Sequence, residues 1–148
     1  MHLTNFSDYT LRTLMYLAVR PDPATPVRIT DIAQAYAISE THLTKVVNML
    51  AQAGDVATLR GRNGGIRLAR LPSEINLGTV IRRTEPDMAL VECLSSDNAC
   101  CLGPACRLRH TLQRALAAFM AVLDDVTLAD LTAPSRDLRQ LLGLAEAK

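Results

Sequence analysis

The chain has 148 residues, 49% of them apolar and 21% charged, with a formal net charge of +1. That length fills one ordinary core and excludes two full-sized domains, while the balanced charge gives no global bias towards nucleic acid or a membrane surface. The opening MHLTNFSDYTLRTLMYLAVR mixes charged with apolar residues, unlike a secretory signal, and no apolar run reaches membrane-spanning length, so a cytoplasmic protein without membrane contact is expected.

In chain order, Ser7 is a suitable N-cap for a first helix in which Leu11, Leu14, Met15, Leu17 and Ala18 recur at helical spacing until Pro21. A proline-rich turn, PDPATPV, follows, and Thr30 can cap a short helix through Ile32, Ala33 and Tyr36. Ser39 then caps a helix with the apolar stripe Leu43, Val46, Val47 and Leu50, which Gly54 stops. Two helices joined by the brief turn Ala37-Ile38 predict a helix-turn-helix. Val56 to Arg60 and Ile66 to Leu71, separated by GRNGG, read as a two-stranded hairpin with a basic tip. The fold class expected is mostly α: a winged helix-turn-helix over residues 1–72, then residues 73–148 as a loop and a long C-terminal helix, all in one compact chain. Leu77, Val80 and Ile81 predict a short helix in that second part, and periodicity fails from Pro86 to Ala105. The last strong pattern runs from about Arg107 to Leu123, with Leu108, Leu112, Leu116, Phe119, Val122 and Leu123 at spacings of three and four. So small a chain leaves that stripe few internal partners, which predicts a homodimer.

Two groups of residues carry chemistry. Residues 1–72 hold eight Lys/Arg against five Asp/Glu, whereas residues 73–148 hold eight against ten. The basic excess is concentrated in Arg60, Arg62, Arg67 and Arg70. In a helix-turn-helix the second helix enters the major groove with its first turns, here exposing Glu40, Thr41, His42, Thr44 and Lys45. Thr and Lys suit groove reading but are also ordinary surface residues, so a packing helix of an enzyme is the bland alternative. The adjacent wing favours DNA, since Arg60, Arg62, Asn63 and Arg67 among three glycines allow close approach to phosphates or a narrow minor groove. Double-stranded DNA is the expected partner. No Ser/His/Asp grouping, phosphate loop or paired-carboxylate motif points to catalysis.

The second group is Cys93, Cys100, Cys101 and Cys106, crowded into one aperiodic loop. In a reducing compartment such crowding favours a metal over disulfides. Thiolates are soft ligands for iron-sulfur clusters or zinc, and three of them leave a fourth position open. Asp8, His110 and Cys101 are the candidates for it, although Asp8 in its own helix also complements the helix dipole.

Together LTNFSDYTLRTLMYLA, DIAQAYAISETHLTKVVNMLAQAG, RGRNGGIRLA, CCLGPACRLRHTL and LDDVTLADL resemble the winged-helix iron-sulfur transcriptional regulators, nitric-oxide-sensing repressors among them, over nearly the whole chain. The resemblance implies a homodimer on an inverted-repeat operator, one cluster per subunit, and loss of DNA affinity when nitric oxide attacks the cluster. A sensor of iron or cluster supply is the alternative within the same fold. The family places the second and third of three cysteines six positions apart, as Cys100 and Cys106 are, with Cys93 as the first. Cys101 is then an extra residue, and the gap from Cys93 to Cys100 is longer than the pattern. The resemblance further implies Asp8, donated by the other subunit, as fourth ligand. His110 stands one residue beyond the place where related regulators use a histidine. By resemblance a 4Fe-4S cluster is favoured over 2Fe-2S.

Overall fold

The computed structural model describes residues 2–94, 100 and 105–144. The first helix, α1 (Asn5–Ala18), begins three residues earlier than the Ser7 cap expected from sequence. Thr4 is the N-cap, its hydroxyl accepting from the Ser7 amide at 3.2 Å. Ser7 is instead fully buried inside the first turn and donates to Glu85. Leu14, Tyr16 and Leu17 give α1 its apolar buried side, beside the buried Thr10 and Thr13. Those two hydroxyls donate back to Phe6 O and Tyr9 O, so a polar stripe enters the core with its protons satisfied.

Helix α2 (Ile29–Tyr36) starts before the expected Thr30 cap, with Arg28 in the N-cap position and the Asp31 carboxylate accepting from its amide at 3.3 Å. The start is fixed by tertiary structure. Val27 forms a two-way bridge with Ile66, N to O at 2.8 Å in both directions, and the chain can turn helical only after it. Ala37 adopts left-handed backbone (φ 53°) and returns its amide to the α2 carbonyls, making the tight turn into α3 (Glu40–Gln52). Ser39 occupies the α3 N-cap as expected. The stripe read from sequence, Leu43, Val46, Val47 and Leu50, is the buried side of α3.

Strands β1 (Val56–Leu59) and β2 (Gly65–Leu68) pair antiparallel, with Val56 opposite Leu68 and Leu59 opposite Gly65. This is the winged helix-turn-helix of the sequence reading, in a mostly helical chain. Helix α4 (Leu77–Thr84) is capped by the Asn76 side chain, which accepts from the Thr79 amide at 3.0 Å and donates to Asp124 O at 2.6 Å. That bond ties α4 to the end of α5 (Arg107–Asp124). Two short helices follow, α6 (Leu128–Thr132) and α7 (Ser135–Leu141), neither of which was expected. Leu128 is wholly buried in the same core cluster as Leu14, Ile32, Leu43 and Val80, so the segment after α5 returns to the core laid down by the first three helices.

The stripe expected on α5 is divided between two sides. Leu112, Leu116, Phe119 and Leu123 are half-buried beside the buried Met120, whereas Leu108 and Val122 face solvent, 64% and 65% exposed. Thr111, Ala115 and Ala118 are exposed with them, so Leu108, Thr111, Ala115, Ala118 and Val122 run at alternating spacings of three and four. That is the heptad spacing of a helix-pairing seam, with alanines where backbones would approach. No helix among the described residues is long and apolar enough to cross a membrane.

Candidate functional site

Buried Leu43, Val46, Val47 and Leu50 turn the other side of α3 outward, which exposes Thr41, His42, Thr44 and Lys45. Thr44 donates its hydroxyl proton to Glu40 O at 2.9 Å, leaving the oxygen able to accept. His42 is not purely outward-looking, because its ring lies 6.1 Å from that of Tyr9 on α1. On the hairpin, Arg60, Arg62, Asn63 and Arg67 are all exposed. The first turns of α3 and the hairpin thus present solvated polar and cationic groups, with the exposed Glu40 carboxylate at the start of α3, and the cationic hairpin is of the kind that attracts a phosphate backbone.

Two of the wing glycines also make room for the protein's own backbone. At Gly65, the first residue of β2, a Cβ would stand 2.5 Å from Val27 O. At Gly64 it would stand 2.4 Å from Leu59 O.

Asp8 lies on the first turns of α1, half-buried, with the exposed Arg12 one turn on. The guanidinium grips the carboxylate twice, Nε to Oδ1 and Nη2 to Oδ2, both at 3.0 Å. Arg12 also sits 5.7 Å from the centre of the Tyr36 ring at the end of α2. Burial pushes the Tyr36 hydroxyl above its ordinary value, which Arg12 partly offsets. Tyr9 and Arg12, the residues beside and one turn beyond this carboxylate, therefore touch both helices of the helix-turn-helix.

Cys93 is half-buried in a single 3-10 turn (Glu92–Leu94), Cys100 is exposed, and Cys106 is the half-buried N-cap of α5. Cys101 lies outside the described residues. Among the described residues no three His, Cys, Asp or Glu side chains, Asp8 included, converge as a metal site. His110 is exposed on the first turn of α5. Chemically the donor set suits an iron-sulfur cluster, since three thiolates from one short stretch supply soft ligands for iron.

Sequence reasoning missed the root of the cysteine loop. Glu85, buried and just beyond α4, accepts from Thr4 N at 2.8 Å, Thr4 Oγ1 at 3.1 Å and Ser7 Oγ. Burial alone would push its carboxyl up, but these bonds, helped by His2, outweigh it and hold the group below the usual glutamate range. The carboxylate thereby caps the end of α1 that carries Asp8. No local signal marked it, because its partners stand about eighty positions away in sequence. The next residues, Asp87 to Leu90, wall an open groove of about 510 Å³ with Leu3, Leu116 and Phe119.

The family model described as "Rrf2: Iron-dependent Transcriptional regulator" matches residues 3–134. A protein of Geobacillus kaustophilus named HTH-type transcriptional regulator NsrR is 50% identical over 143 residues, covering 96% of this chain and 97% of its own. The Bacillus subtilis protein of the same name is 47% identical over 147 residues, 99% and 100% of the two chains. Among solved structures, CymR, the global cysteine regulator of B. subtilis, superposes with a TM-score of 0.73 at 32% identity, over 90% of this chain and 97% of that one.

Proposed function

The chain belongs to the Rrf2 family of DNA-binding transcriptional regulators, and within that family we propose that it is a cytoplasmic repressor that senses nitric oxide through an iron-sulfur cluster and then releases its operator. The observation that carries this reading is the near full-length identity of 50% and 47% to two regulators named NsrR. The exposure of polar side chains on α3 and the wing, and of a seam on α5, supports the remaining parts of this reading. α3 reads base edges with Thr41, His42, Thr44 and Lys45, and the wing contributes phosphate contacts through Arg60, Arg62, Asn63 and Arg67. The exposed seam of Leu108, Ala115, Ala118 and Val122 joins two copies, whose paired reading helices match an inverted repeat.

Cys93, Cys100 and Cys106 would hold the cluster, 4Fe-4S in preference to 2Fe-2S, with Asp8 of the other copy as the fourth ligand. When bound, the cluster supplies iron to which nitric oxide binds. The chain's own part is to offer Asp8 two competing partners. A carboxylate oxygen is a harder donor than a thiolate and holds iron less firmly, and Arg12 stands ready to take the carboxylate back. Because Arg12 also contacts Tyr36, and Tyr9 contacts His42, the position of Asp8 is felt in both helices that meet DNA.

The test is operator affinity of anaerobically loaded protein before and after a titrated dose of nitric oxide. Loss of specific binding is expected. Affinity that survives nitric oxide but falls on iron removal would instead make the protein a sensor of iron or cluster supply.

A further inference from the structure

We infer that Arg83 is a positioning residue of the wing, holding the hairpin at the angle its phosphate contacts need from α4, the helix that runs into the cysteine loop. Asp55 is the pivot. It lies between α3 and β1, is 1% exposed, and its backbone is fixed on both sides, its amide to Leu50 O at 3.0 Å and its carbonyl to the Ala69 amide at 2.9 Å. A buried carboxylate is tolerated only when paired. Its two partners come from different elements: Arg70, just after β2, at 3.3 Å, and Arg83, on the last turn of α4, at 2.7 Å. The shorter bond is the one that crosses to another element. Without it, the Asp55 side chain keeps its 3.3 Å contact to the wing's own arginine, and the hairpin is held to the body by the buried Val56 and Ile66 and by the Val27 bridge.

The neighbours of Arg83 give the placement its consequence. Arg82 pairs with Asp124 at the end of α5 through two bonds of 2.5 and 2.7 Å, and Thr84 and Glu85 hold α1 through Ser7. Four successive residues, 82 to 85, therefore grip the long helix, the wing root and the start of α1, and the cysteine loop begins at the next residue. A shift of that loop displaces the last turn of α4 and, through Arg83, the wing.

This inference rests on the reading of the wing as a phosphate contact, and two measurements separate the two. The first uses cluster-free protein and no DNA: limited trypsin digestion of the parent, Arg83→Gln and Arg83→Lys, following cleavage at Arg60 and Arg62 against cleavage at Arg107 and Arg109. Arg83→Gln is expected to raise wing cleavage selectively, with Arg83→Lys restoring much of the protection because the charge is kept. The second follows the dependence of operator affinity on salt, where Arg83→Gln should flatten the slope by about one unit for each phosphate that the wing no longer reaches. Equal cleavage of the wing in all three proteins, or a rise at every site alike, overturns the inference. Selective wing cleavage with an unchanged salt slope leaves Arg83 as the wing's anchor and refutes the wing's phosphate role instead.

Discussion

Replacing Gly65 by alanine should damage the wing from within, and the cost follows from one crowded approach. The added Cβ would lie 2.5 Å from Val27 O and 2.8 Å from Val27 C. Those are backbone atoms, so no side-chain rotation relieves the clash. Val27 must retreat, and with it go the two 2.8 Å bonds it exchanges with Ile66. At a net 0.5–1.5 kcal/mol for each bond, with partial exposure of the buried Val27 and Ile66 added, the destabilisation is about 2–3 kcal/mol. Gly61→Ala, at the wing tip, meets nothing within 4 Å and bears only the strain of its φ of +107°, about 1 kcal/mol. Urea unfolding of the cluster-free protein would read both: a lower midpoint at constant slope, larger for Gly65→Ala. A destabilisation below about 0.5 kcal/mol for Gly65→Ala, the range of an ordinary surface change, would refute the account of close backbone approach.

Glu85 predicts a pH effect: because its folded carboxyl lies below the ordinary glutamate value of 4.5, its contribution is complete above that pH and fades as pH falls further. Glu85→Gln should therefore be less stable than the parent at pH 7, the gap closing in acid, as unfolding curves at several pH values would show; a constant gap would place its role elsewhere. In the ligand series, Cys93→Ser, Cys100→Ser and Cys106→Ser should each lose bound iron and sulfide, Cys101→Ser should match the parent, and Asp8→Ala should keep a cluster whose state no longer controls DNA binding. An essential Cys101 with an indifferent Asp8, read by absorption and iron analysis, would point to an all-thiolate site in one chain. Val122→Glu, which puts a charge into the exposed seam of α5, should shift sedimentation towards monomer at micromolar concentration and weaken operator binding; an unaltered dimer would move the interface off that seam.

Hydrophobic spacing made α1, α3, the hairpin and α5 legible because each buries a stripe long enough to dominate its segment. Starts were less legible. TNFSDY offers two capping residues three apart, and Thr4 rather than Ser7 caps α1 because the Ser7 hydroxyl is claimed by Glu85. α2 begins at Ile29 because Val27 is held as a strand by Ile66. On α5, apolar residues occupy two sides, and spacing alone could not tell the side packed on the core from the side left outward. The exposed polar residues of α3 and of the wing, proposed to meet DNA, stood out because they interrupt the apolar pattern, and the cysteines because composition singles them out. Glu85 and the Asp55–Arg83 pair were invisible, since each is an ordinary charged residue until folding brings in partners 28 or more positions away.

Near Asp8, α1 meets the helix-turn-helix through the Arg12–Tyr36 contact and the Tyr9–His42 ring pair, and the Asp8–Arg12 ion pair within α1 holds the guanidinium that makes the first of them. All lie at or near the surface, where an exposed ion pair contributes up to about 1 kcal/mol, a cation–π contact about 0.5–1 and a ring pair about 0.5–1.5. Their total, about 1–3.5 kcal/mol, is the size of a typical coupling energy between two sites. The opposite side of α1, with Leu14 and Leu17 almost wholly buried, is held by far more, at about 1.5–3 kcal/mol for each such side chain. A change at Asp8 can therefore exchange one set of surface contacts for another while α1 stays seated in the core. α1 is thus firm on its core side, and Asp8, with the Tyr9 and Arg12 contacts to α3 and α2, lies on the side held by the weaker contacts.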